Sequence, residues 1–484
     1  MANTSCVRTL RAPSIVLIAL ALAVGQIPPA AAAPKPKPKA VVPPMAMVAL
    51  IDSGINPYAA AFRDRSPLAY RHPSTYIPGY PKTARELRLT LDVPYDRALE
   101  RDRRTWERVR PQTLYWIPGT RIVGAISMGS GGTSCPVVPV PPANAVNQTT
   151  CEDFPILDGH GHGTMTASRA AGRPHSLAPN ARIVEIEGLG AASVRWAADQ
   201  GWIDVQSNSW IDLIPPPANG VVGDTTAAFS HASTRTFTLA ASGNGSAYIL
   251  GFAPTPTYVL STAPPGVILV GGHDNGRMTL WSGSPPHVVA DAYAGYAALR
   301  ASSGPMVPDS IACCTSAASP YAAGAAAAIV ERARRILGDR RTGIHDGVVA
   351  RGPARRVKSG PLADGVFTLE ELRAVFLRTA EDRPAEGRDD GLVHWTGEPR
   401  GPEFTPFGPG ANPFCQGCWT MPADWTVIPA DAPAFPLVGY GAINERSLAA
   451  AFAVLAGTTP EPERPQEDQA FDLDQQLRAV IFGS

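Results

Sequence analysis

The sequence predicts an α/β fold in three layers: a parallel sheet with helices on both faces and long loop insertions between its elements. Three observations predict it. Short, unbroken apolar runs such as Met47-Val-Ala-Leu-Ile51 and Ile268-Leu-Val-Gly-Gly272 have strand length without polar alternation, as strands buried on both faces require. From Ala181 onward strand-like and helix-like segments alternate, which implies right-handed crossovers and parallel strands. Finally, 50 prolines and 45 glycines among 484 residues supply the fixed turns that long surface loops need.

Taken in order, the chain begins with Arg8 and Arg11, an apolar run from Ile15 to Val24 and the small residues Ala30 to Ala33. That basic, apolar, small-residue order predicts a cleavable export signal over 1–33 and a secreted, extracellular product. The run is shorter than the about twenty apolar residues that span a bilayer, and no later segment reaches that length, so no stable membrane span is expected. Residues 34–44 open with Pro34-Lys-Pro-Lys-Pro-Lys39, an extended, solvated linker. A single domain over 45–457 follows. Its first strand is the run ending at Ile51, stopped by Asp52-Ser-Gly54. An insertion is expected at about 64–155, with a solvated helix over 101–110 and a strand over 121–126. Next come a strand over 182–187, a helix over 192–200, a strand over 203–207, a helix over about 224–234, a strand over 236–241 and the strand at Ile268. An alanine-rich helix is expected over 319–337, with Arg332, Arg334 and Arg335 suiting its carboxyl-terminal dipole. Insertions at 338–365 and 382–435 flank an amphipathic helix over 369–380. A last helix spans 448–455, and the 458–484 tail is expected to be poorly ordered.

The 42 basic and 42 acidic residues cancel, so no global field draws the chain to nucleic acid or to an anionic membrane; a monomer acting on protein or peptide is expected. With Cys6 in the signal, Cys135, Cys151, Cys313, Cys314, Cys415 and Cys418 remain. An even set in an exported chain predicts disulfides, although six cysteines allow fifteen full pairings and the spacing selects none. Cys415-Gln-Gly-Cys418 also has the form of half a zinc site or a redox pair, but no second cysteine pair or histidine cluster completes it. Asn147-Gln-Thr149 fits a glycosylation acceptor and so predicts a surface loop.

Three segments carry the chemistry. Asp52 follows a buried strand, so its carboxylate emerges at the carboxyl edge of the sheet, where ligands of open parallel sheets bind. Asp158-Gly-His-Gly-His162-Gly-Thr164 leads into a helix start, with glycines that permit close backbone approach. Cys313-Cys-Thr-Ser316-Ala-Ala-Ser-Pro320 stands just ahead of the long helix, where free N–H groups and the positive dipole end favour an oxyanion. A hydroxyl, an imidazole to take its proton and a carboxylate to orient that imidazole are the parts of nucleophilic acyl transfer.

In kind and in chain order, these segments resemble the subtilisin-like family of serine peptidases. Val48-Ala-Leu-Ile-Asp52-Ser-Gly54 is similar to that family's aspartate motif, the stretch around His162 to its histidine motif, and Thr315-Ser316-Ala-Ala-Ser-Pro320 to its serine motif. The resemblance implies a three-layer subtilisin-like fold over about 45–457 and a serine endopeptidase with Asp52, His162 and Ser316 as catalytic residues. Leu239-Ala-Ala-Ser-Gly-Asn244-Gly resembles the motif whose asparagine donates to the oxyanion, so Asn244 takes that role by resemblance. Ser209 and Trp210, ending a stretch similar to the substrate-binding helix and strand, would line the primary specificity pocket. No cofactor is identifiable; calcium is implied by the resemblance alone.

The sequence also departs from the pattern. Cys314 and Ala317 stand where the family's serine motif has glycine and methionine, and the short linker leaves no room for a folded inhibitory propeptide. A catalytically silent scaffold that binds protein or cell-wall partners is therefore the alternative. A metal held by Asp158, His160 and His162 is a weaker reading, because the glycines between them leave such a site unconstrained.

Overall fold

The computed structural model describes residues 42–93, 95–129, 154–158, 161–174, 176–178, 180–210, 223–243, 266–274, 277–278, 286–292, 315–351, 357–381 and 440–462. Two compact units are distinguished, Met1–Val41 and Val42–Ser484. The first, with the expected export signal and most of the linker, lies outside the described residues, as do all seven cysteines, Asn147, His160, Asn244 and the 382–435 segment.

The strands, in chain order, are β1 (Met47–Asp52), β2 (Arg85–Glu86), β3 (Tyr115–Trp116), β4 (Ile122–Ser127), β5 (Arg182–Glu187), β6 (Val205–Asn208), β7 (Phe237–Ala241), β8 (Ile268–Asp274), β9 (Arg277–Met278), β10 (Val288–Asp291), β11 (Val348–Val349), β12 (Val366–Phe367) and β13 (Ala442–Ile443). The helices are α1 (Tyr95–Trp106), α2 (His162–Ala171), α3 (Ala191–Asp199), α4 (Asp224–Ser233), α5 (Thr315–Leu337), α6 (Leu369–Arg378) and α7 (Glu445–Leu455). The main sheet runs β13-β10-β8-β7-β6-β1-β5-β4-β3-β2, with β9 beside β8. It is parallel apart from the β3–β4 and β8–β9 pairs.

β1 lies between β5 and β6, with Met47 opposite Arg182 and Val48 opposite Val205. Because successive side chains of a strand point to opposite faces, Val48 and Leu50 enter one core, shared with α2, α5, α6 and α7. Met47, Ala49 and Ile51 enter the other, shared with α3 and α4. That double coverage is why the run is apolar at every position and why all six residues of β1 are buried. The three-layer expectation holds.

The largest shifts from the expected boundaries are in two helices. The charge run predicted a helix over 101–110, yet α1 starts at Tyr95 and ends at Trp106. Its buried positions Ala98, Asp102 and Trp106 recur every four residues, and the arginines mark only its outer face. Arg108 and Val109 then bond back three residues, to Thr105 and Trp106, ahead of Pro111, whose predecessor is disfavoured in helix. The long helix was expected from residue 319; α5 is described from Thr315, so Ser316 lies within its first turn rather than ahead of it. The 64–129 stretch also adds β2 and β3 to the sheet and buries Tyr80 and Trp116 in the core.

Among the described residues no helix is long and apolar enough to cross a membrane.

Candidate active site

β1 delivers Asp52 to the carboxyl edge of the sheet with only 3 % of its surface exposed. The chain leaves it through Ser53 and Gly54, the latter at φ +107°, a conformation that side chains disfavour. A Cβ on Gly54 would also lie 2.9 Å from Ile156 O. The strand end is pinned there by Ile55 N donating to Ile156 O (2.8 Å).

His162 is the first residue of α2. Its Nδ1 lies 2.7 Å from Asp52 Oδ1, while Ser53 N (2.8 Å) and Thr166 Oγ1 (3.1 Å) also donate to that carboxylate. The approach depends on Gly163: a Cβ there would sit 2.1 Å from Gly54 O, so the Asp-Ser-Gly and His-Gly backbones touch. Burial alone would lower the His162 pKa, but the Asp52 charge and hydrogen bond, with Asp158 behind them, hold it above its ordinary value of 6.5.

Asp158 caps α2. It is fully buried and accepts hydrogen bonds from Gly161 N (2.7 Å), Thr164 N (2.7 Å), Thr164 Oγ1 (2.5 Å) and Ser53 Oγ (2.9 Å). Ser53 Oγ in turn accepts from Gly163 N (2.9 Å). The first N–H groups of a helix have no internal acceptor, and here Asp158 and Ser53 take three of them. Burial pushes the Asp158 carboxyl up against the pull of these donors. Asp158 stands three residues ahead of the Gly161 N-cap, outside the position where a capping side chain is read from sequence, and the sequence reading weighed it as a metal ligand. Among the described residues no three His, Cys, Asp or Glu side chains stand together as a metal site.

Ser316 is reached from the neighbouring strand. Its Oγ donates to Ser209 O (3.1 Å), and Ser209 Oγ donates to Ser316 O (3.0 Å). The second bond compensates for Pro320, which lies four residues on inside α5 and has no N–H to donate to that carbonyl. Ser209 directly follows β6, which pairs with β1, so the serine stands at the same sheet edge as Asp52. Trp210 packs its ring on Phe229 of α4, centroids 5.7 Å apart. Asn244 lies outside the described residues, just past β7 and Gly243.

Sequence reasoning missed Thr166, the capping role of Asp158, and Glu185. Glu185 on β5 is fully buried, and neither carboxyl oxygen makes a well-formed hydrogen bond. Burial first, then the charges of Asp52 and Asp158, raise its pKa well above the ordinary value.

A parallel sheet whose carboxyl edge holds a buried aspartate–histidine pair, with a serine in the first turn of a helix at the adjacent strand, defines an α/β class built for nucleophilic chemistry. The subtilase family model matches residues 45–394, more than half of the sequence, and the chain belongs to that family. Among solved structures it is similar to a lanthipeptide protease (14 % identity, 85 % of this chain and 87 % of that one, TM-score 0.41). It is also similar to a cold adapted subtilisin-like serine proteinase (14 %, 58 % and 74 %, 0.33). A third is the epidermin leader peptide processing serine protease EpiP of Staphylococcus aureus (12 %, 84 % and 76 %, 0.41). No curated protein matches the chain.

Proposed function

We propose that this subtilase-family chain is a secreted serine endopeptidase that cleaves proteins or peptides through an acyl-enzyme, with Asp52, His162 and Ser316 as its triad. The observation that carries the reading is the 2.7 Å bond between His162 Nδ1 and a buried carboxylate, at the sheet edge that also bears Ser316.

In this reading the Ser316 hydroxyl turns from Ser209 O to His162 Nε2, gives up its proton there and attacks the peptide carbonyl carbon. The carbonyl electron pair moves onto oxygen. The Ser316 N–H, and by resemblance the Asn244 side chain, meet that charge. The imidazolium, held by Asp52, returns the proton to the departing amine as the C–N bond breaks, and water then releases the acyl group by the same steps. Ser209 and Trp210 would line the primary pocket, and residues 1–33 would direct export.

A fluorophosphonate probe tests the reading. The wild type is labelled and Ser316→Ala is not, while peptide hydrolysis by Ser316→Ala or His162→Ala falls about a millionfold. A folded wild type that takes up no label and cuts no peptide in a mixed library overturns it. The second reading, a silent scaffold that binds protein or cell-wall material, is favoured by the Ser316 hydroxyl being bonded to Ser209 O and by Cys314 and Ala317; it predicts that unlabelled outcome.

A further inference from the structure

Seven residues after His162, α2 carries an arginine that is 1 % exposed. At 100° per residue, seven residues return to nearly the same side of a helix, so Arg169 and His162 share a face of α2. A guanidinium is costly to bury unless its donors are met. Those of Arg169 reach two other elements. Nη2 donates to Asp291 O (2.6 Å) at the end of β10, and Nε donates to Ala317 O (3.4 Å). The guanidinium also lies over the Tyr321 ring, 4.5 Å from its centroid. Ala317 follows Ser316, and Tyr321 is one turn further along α5.

This turn of α5 needs outside support. Pro320 removes the donor that would have closed the helix onto Ser316 O. Among its outside holds are Ser209 Oγ on Ser316 O and Arg169 on Ala317 O and Tyr321; Ser207 Oγ also lies 3.3 Å from Ser319 Oγ. Ser209 ties the serine to the sheet, whereas Arg169 ties it to the helix that begins at His162.

We propose that Arg169 is a positioning residue for catalysis, a brace that fixes the spacing between the helix bearing His162 and the turn bearing Ser316. The inference rests on the peptidase reading. Only a planar group with several donors spans both carbonyls and still stacks on Tyr321.

The test compares wild type, Arg169→Met and Arg169→Lys by thermal unfolding, steady-state peptide hydrolysis and the rate of fluorophosphonate labelling. In Arg169→Met the brace predicts a lowered unfolding midpoint, because Asp291 O and Ala317 O lose a buried donor, and, in samples fully folded at the assay temperature, KM within about twofold with kcat and the labelling rate both down about a hundredfold, the cost of a misplacement near 1 Å. Arg169→Lys recovers part of the rate, with its single point charge on one carbonyl. Labelling of Arg169→Met at the wild-type rate overturns the brace and leaves the peptidase reading intact. So does a parallel loss of midpoint and activity that lysine restores equally, which would make Arg169 a structural group. A wild type that neither reacts with the probe nor cuts peptide overturns the peptidase reading itself.

Discussion

The imidazole of His162 is set by its neighbours rather than by its own chemistry. Burial favours its neutral form, while the Asp52 carboxylate at 2.7 Å and the Asp158 carboxyl behind it favour the charged form, and the second pair of effects wins. A base must be neutral to accept the serine proton, so a raised pKa places the acid limb of activity above the ordinary histidine value. The sign is fixed: kcat/KM falls as pH drops through a midpoint higher than 6.5. Asp52→Asn should move that midpoint down while cutting kcat by about ten-thousandfold, because the tautomer and the imidazolium both lose their partner. A pH–rate profile checks both, and an acid limb at or below 6.5 in the wild type would contradict the field described here. Asp52, His162 and Ser316 were legible because each stands in a short motif beside an element boundary. Thr166 and Glu185 were not: an isolated threonine inside a helix, or an isolated glutamate inside a strand, has no local pattern, and its meaning arises only when α2 and β5 pack around the end of β1.

At the scale of elements, the spacing of α2 and α5 decides whether the imidazole and the hydroxyl can meet. Their crossing is tight at Gly324, where a Cβ would lie 2.7 Å from Ala170 O. A carbonyl of a helix backbone yields little, so Gly324→Ala must push the helices apart or strain them. The expected cost is about 1–3 kcal/mol of stability, as for other overpacked sites, and kcat falls more than KM rises because His162 and Ser316 both ride on the displaced helices. Denaturant unfolding and steady-state kinetics on the same preparation check this; unchanged kinetics with lowered stability would mean that the crossing does not set the site. The elements themselves were largely readable, because double burial leaves unbroken apolar runs such as β1 and the alanine-rich stretch of α5. The boundaries that moved did so for tertiary reasons. The helix was expected only from residue 319, but Ser209 offsets the missing donor of Pro320 and lets the helix extend back through Ser316. Likewise the arginine run of α1 hides the buried stripe of Ala98, Asp102 and Trp106.

Across the whole molecule the two edges of the sheet carry separate tasks. The carboxyl edge holds the candidate site, whereas the amino edge is closed by a buried ion pair. There Asp204 accepts two hydrogen bonds from Arg334, at 2.7 Å each, together with Met47 N (2.9 Å) and Gly343 N (2.8 Å). Arg334 also donates to Met45 O (2.8 Å), so the last turns of α5, the entry to β1, the start of β6 and the loop at Gly343 meet in one clasp. Both side chains are at most 1 % exposed. Removing one member leaves the other charge, and here two backbone donors as well, without partners in a medium that cannot solvate them. Asp204→Ala should therefore lower stability by about 3–5 kcal/mol. β1 separates this clasp from Asp52 by five residues, about 17 Å at strand rise. The fraction of Asp204→Ala that remains folded should thus be labelled by the fluorophosphonate at nearly the wild-type rate. Denaturant midpoints and labelling rates at low temperature test the division of labour: a rate that falls with the midpoint in a fully folded sample would mean that strain crosses the sheet and that the edges are coupled.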